Sequence, residues 1–161
     1  MLPCGCLGSV PRLDFGWLPP PEICGQWQGD CAIRVDFTRQ RRLPISLNIA
    51  PDGTATGHVG DATLVDAQVH ADRNDIERQL HIARDYVVIG KLDGPVIATE
   101  RIAREQVVIP FNLDDGDLTG GLTPKSSWFA GEDIKDVTAG EMVLKPTGSN
   151  DAATQPLQAT P

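Results

Sequence analysis

The chain has 161 residues, with acidic side chains outnumbering basic ones by 22 to 14 and a formal charge of -8. A chain of this length is expected to make one domain with a single core. The acidic balance argues against nucleic acid and anionic membrane surfaces, both of which call for clustered Lys and Arg, and the absence of any run of roughly 18 apolar residues excludes a helical membrane span; a soluble, acidic domain is expected.

The first ten residues, MLPCGCLGSV, have no basic n-region, and Pro3, Gly5 and Gly8 interrupt their apolar character before a signal h-region can form. This start points to a cytoplasmic chain, whereas a truncated signal peptide would make it periplasmic or exported. Residues 1–22 end in WLPPPE and read as a disordered leader, since successive prolines favour extended polyproline geometry. Cys4 and Cys6 fall in this leader, and Cys24 and Cys31 flank one extended segment. At ~3.3 Å per residue the latter two are roughly 23 Å apart, too far for the ~7 Å Cα separation of a disulfide. C-x6-C without a second Cys or His pair is not a zinc spacing either, so both read as free thiols.

The periodic pattern opens at ICGQWQGDC and runs over residues 23–146. In the first predicted strand, residues 25–37, the odd positions Gly25, Trp27, Cys31, Ile33, Val35 and Phe37 share one face, while Arg34 and Asp36 take the other. Trp27 therefore points inward, and Gly25 and Gly29 on the same face are expected to give its ring room. Arg39, Arg41 and Arg42 follow as a short solvated connection, with an anion grip as the less favoured reading.

Further strands are predicted at 44–50, 54–60, 62–71, 79–83, 86–92, 96–99, 106–113, 117–123 and 141–146. Ile45, Leu47 and Ile49 alternate with polar residues, as do Val65, Ala67 and Val69, and then Val107, Ile109, Phe111 and Leu113 alternate along another segment. Asp52-Gly53, Asp93-Gly94 and Asp115-Gly116 supply tight-turn signals between strands. Two segments also admit a helix, one spanning Ile76, Leu80 and Ala83 and one starting at Pro95. Short strands joined by tight turns predict an all-β antiparallel sandwich or barrel of about eight to ten strands, with room for one short helix. Residues 147–161 are small and polar and read as a disordered tail.

Few residues offer chemistry. His58, His70 and His81 each fall opposite apolar neighbours and so face outward rather than converging on a metal or haem. The acidic run Asp114–Asp117 lacks the spaced ligands of a calcium loop and reads as a hairpin turn. No nucleophile elbow, phosphate loop or zinc-protease motif is present. Residues 120–131, GGLTPKSSWFAG, read as a long loop over the barrel mouth, with Trp128 and Phe129 at the rim. No catalytic residue, metal or cofactor is expected.

The motif Gly25-Gln26-Trp27, followed by an antiparallel meander, resembles the lipocalin-like (calycin) barrels, in which such a tryptophan closes one end of the barrel. The resemblance implies a single up-and-down β-barrel. It rests on this motif and the strand pattern, without the other lipocalin signatures. The haem-binding nitrobindin core G-x-W-x-G is matched by Gly25, Trp27 and Gly29, but the glycine that follows it is replaced by Cys31.

The architecture implies non-enzymatic binding of a small apolar or amphipathic molecule in the interior, lined by Val35, Phe37, Leu47, Ile109 and Phe111 with Trp128 and Phe129 at the mouth. The alternative is a structural or protein-interaction domain whose barrel is filled by its own side chains. A void of at least ~300 Å³ would separate the two. The sequence does not fix the oligomeric state.

Overall fold

The structure, a computed structural model, describes residues 16–35, 39–72, 84–100, 102–103, 106–125, 137–138 and 140–148. A 3-10 turn, Pro21–Ile23, leads into β1 (Gly25–Val35), β2 (Arg39–Ile49), β3 (Thr54–Val59), β4 (Ala62–Ala71) and β5 (Tyr86–Asp93). A two-stranded ear follows, made of β6 (Pro95–Ile97) and β7 (Ile102–Ala103). The chain then forms β8 (Gln106–Asp114), β9 (Asp117–Lys125), the short β10 (Val137–Thr138) and β11 (Gly140–Pro146).

Each main strand pairs antiparallel with its neighbour in the order β1, β2, β3, β4, β5, β8, β9, β11, and β11 returns to β1, with Trp27 opposite Pro146 and Cys31 opposite Met142. The chain is thus a closed, eight-stranded, up-and-down antiparallel barrel. Closure removes the unpaired strand edges that an open sheet would leave to solvent.

Alternation builds this barrel from the sequence. On β1, Trp27, Cys31 and Ile33 are buried, on β2 Leu43, Ile45, Leu47 and Ile49, and on β8 Val107, Ile109 and Phe111. These belong to one continuous apolar cluster. The β8–β9 hairpin turns through Asp115 and Gly116, whose φ angles of 51° and 86° are those of a two-residue turn matching the twist of paired strands.

Several expectations are corrected. Gly25 and Gly29 do not serve to make room beside Trp27: a Cβ on Gly25 would meet nothing within 4 Å, whereas one on Gly29 would run into the backbone carbonyl of Val143 on β11. Gly29 is thus a close-approach position between strands, and Gly25 is held by a φ of 124°. Arg39, Arg41 and Arg42 lie on β2, because the ladder with β1 continues to Val35 opposite Arg39. Arg42 faces solvent and pairs with Asp30 at 3.4 Å.

On β4 the inward face switches. Leu64 is buried and Val65 is 38% exposed, after which Ala67 and Val69 are buried. The ladder registers shift across this stretch, and Asp66 adopts a φ of 49°. One extra residue, a β-bulge, reverses the parity. The Asp93-Gly94 signal turns the chain into the ear, since the barrel partner of β5 is β8. Asp61 at the β3–β4 turn captures this ear: its N–H donates to the Val96 carbonyl at 3.0 Å and its carboxylate accepts from the Ala98 N–H at 3.0 Å. The predicted strand over 79–83 lies outside the described residues, and no helix among the described residues is long and apolar enough to cross a membrane.

Candidate functional site

The barrel has two differently built ends. At one, the starts of β1, β3 and β5 meet the last residues of β2, β4 and β8. Trp27 lies just inside this end and is buried, and its indole N–H donates to the Ile23 carbonyl at 2.9 Å. Ile23 has no accessible surface and Pro19 is buried, so the proline-rich segment is anchored on the domain at these residues, while Leu18, between Trp17 and Pro19, is 63% exposed. Trp17 extends this cover, its ring 6.2 Å from that of Tyr86, which in turn lies 5.5 Å from Phe111.

At the opposite end the ear packs on the β3–β4 turn, and Val96 is buried there. Strand β9 leaves the barrel at Lys125 on this side. Residues 126–136, including Trp128 and Phe129, lie outside the described residues, as does Phe37.

Of the expected pocket residues, Leu47, Ile109 and Phe111 are inside the barrel. Leu47 pairs across the ladder with Trp27, and Phe111 with Tyr86, near the Trp27 end. Val35 occupies a backbone position at the opposite end, across from Arg39 and Val137. The residues therefore do not gather at one mouth. Ile109 and Phe111 are 0% exposed, so no space wide enough for a water molecule borders either.

The small residues Ala55 on β3 and Ala62 and Ala67 on β4 belong to strands that face β9 and β11 across the barrel, where Leu118, Leu122, Met142 and Leu144 are buried. Small opposite large is how the interior of an eight-stranded barrel is filled by side chains. Among the described residues no charged or polar side chain is buried, and no group of three or more metal-ligating side chains converges.

The remaining candidates sit on the surface. An open groove of about 410 Å³ lies beside the bulge, lined by Thr54, Thr56, Val65, Asp66 and Gln68 and, beneath them, by the buried Ala55, Leu64 and Ala67, with Asp66 paired to Lys91 at 3.3 Å. His58 is exposed and His70 half-buried, and burial pulls the His70 pKa below its usual value. In the acidic turn, Thr119 donates to the Asp114 carboxylate and Lys145 pairs with Asp117 at 3.3 Å. Burial raises the pKa of Tyr86, with Glu22 and Asp85 adding to the shift, and burial followed by Glu22 raises that of Cys24.

The sequence pattern gave no role to Tyr86, Pro19 or Ile23. The clustering of Trp17 with three prolines was the available signal, but its receiving surface comes from β5 and the β2–β3 turn, remote in the chain. No known protein family, curated protein or solved structure matches this chain. The fold itself defines the class: a closed eight-stranded antiparallel barrel, apolar throughout its described interior.

Proposed function

We propose that the chain is a non-enzymatic interaction domain of lipocalin-like type, in which the barrel is a filled, rigid frame and its outer surface with the proline-rich segment meets a protein partner. The absence of any accessible surface on Ile109 and Phe111, two of the expected pocket residues, carries this reading. Side chains that bordered a ligand-sized void would keep surface within reach of water. The buried Trp27 on the first strand, capping one end, supports the lipocalin-like part of the reading.

The second reading, uptake of a small apolar or amphipathic molecule, is favoured by an interior that buries no polar side chain among the described residues. It requires the core to open, because the contacts a ligand would make are already made between side chains. Native mass spectrometry of the protein purified from its own cells, with organic extraction, separates the two. The filled barrel predicts the mass of the chain and an empty extract. A stoichiometric apolar molecule in the extract would overturn it.

A further inference from the structure

Residues 16–24, GWLPPPEIC, cross the Trp27 end as a strap. Trp17 packs on Tyr86 with the ring planes 35° apart. Pro19 is buried against the β2–β3 turn, its Cδ 3.7 Å from where a Cβ on Gly53 would stand. Pro20, with φ -64° and ψ 147°, is in polyproline geometry. The chain then tightens, with the Ile23 and Cys24 N–H groups donating to the carbonyls of Pro20 and Pro21 at 3.1 Å each. Ile23 enters the barrel end and accepts the indole N–H of Trp27.

Two physical features set this strap apart from the strands. Three consecutive prolines remove three backbone donors, and among the described residues no hydrogen bond joins residues 16–22 to a barrel strand. The strap is therefore held by ring and aliphatic contacts and by the single indole bond from Trp27 to Ile23, and lifting it breaks no ladder. Its extended conformation is also largely preformed, so little entropy is lost when such a segment docks on an aromatic surface.

We propose that the Trp27 end of the barrel is a docking groove for an extended, proline-rich peptide led by an aromatic residue, which the chain's own residues 17–23 fill in cis and a partner segment of the same chemistry displaces. This rests on the interaction reading above and names its site and partner. Tyr86 receives the aromatic residue, the turn at Gly53 receives the first proline, and the opening beside Trp27 receives the aliphatic residue four positions further on. The tether holds the strap at a high effective concentration, so the groove is masked in the resting chain.

The test uses the full chain and a fluorescently labelled peptide of residues 16–24, followed by anisotropy. Trp17→Ala weakens the strap and is expected to bind the peptide at least about 10-fold more tightly than the unchanged chain, because the cis competitor is impaired. Adding Tyr86→Ala to that variant, or replacing Pro19 and Pro20 of the peptide by alanine, is expected to abolish binding. Equal affinity for the unchanged chain and Trp17→Ala, or no binding to either, overturns the proposal.

A second measurement on the unchanged chain covers a variant that does not fold: the Trp27 indole N–H is expected to exchange with solvent at least about 100-fold faster than the amides pairing β1 with β2, since strap opening alone releases it. Exchange at the rate of those amides would rule the strap out as a displaceable element. An apolar molecule in the native extract would instead overturn the interaction reading itself, so the two failures are distinct.

Discussion

The indole N–H of Trp27 donates to the carbonyl of Ile23, four residues earlier, at 2.9 Å. This bond ties the first strand to the segment that precedes it and satisfies the one polar atom of the Trp27 side chain. Trp27→Ala removes both the bond and the ring, and is expected to cost on the order of 3–5 kcal/mol in urea unfolding. Trp27→Phe keeps most of the ring volume and is expected to cost about 1–2 kcal/mol. A loss below ~1 kcal/mol for the alanine variant would mean that the ring does not close the barrel.

The glycines divide by mechanism. Gly29→Ala drives a methyl group into the Val143 carbonyl, so β1 and β11 must separate where the barrel closes. The expected cost is about 2–3 kcal/mol. Gly116→Ala meets no atom within 4 Å and strains only its φ of 86°, for about 1 kcal/mol. Thermal unfolding of the two variants should rank them in that order; the reverse order would contradict the strand approach at Gly29.

The bulge at Asp66 gives a paired test on adjacent residues. Leu64→Ala empties a buried position and is expected to cost about 2–4 kcal/mol, whereas the partly exposed Val65→Ala should cost about 0.5 kcal/mol. Denaturant midpoints of the two variants measure the difference. If Val65 proved the more costly, the strand would keep a single parity through Asp66 and carry no bulge.

His70 gives a pH dependence with a definite sign. Burial lowers its pKa from 6.5 in the folded state, so over the interval just below that value the unfolded chain binds more protons. Stability is therefore expected to fall as the pH drops below 6.5 and to be fully restored above it, as far as this group contributes. His70→Gln should flatten that part of the profile in urea titrations between pH 5 and pH 7.5. An unchanged profile would show that His70 is solvated in the folded chain.

Much of this barrel is legible in the sequence because its period is two and its inner face apolar. Ile45, Leu47 and Ile49 mark β2, and Asp115-Gly116 marks the β8–β9 turn, from local pattern alone. Val65, Ala67 and Val69 mislead for the same reason, since a single inserted residue reverses the face without disturbing the apparent alternation. Arg39 to Arg42 read as a loop because charge outweighs pattern there, although the ladder to β1 continues through them. The packing of Trp17 and Pro19 on Tyr86 and Gly53 joins residues far apart in sequence, and no local periodicity reports such a contact. For the site, alternation placed Leu47, Ile109 and Phe111 inside, but whether the space between them is empty or filled depends on side chains from all eight strands.

That space is the central claim, and a crystal of the full chain pressurised with xenon tests it most directly, since xenon enters apolar cavities that water leaves dry. A filled barrel predicts no xenon beside Ile109 or Phe111 and no interior void approaching ligand size. An ordered xenon site between these residues and Leu47, in a cavity of ~300 Å³ or more, would contradict the filled frame and restore the interior as a binding pocket.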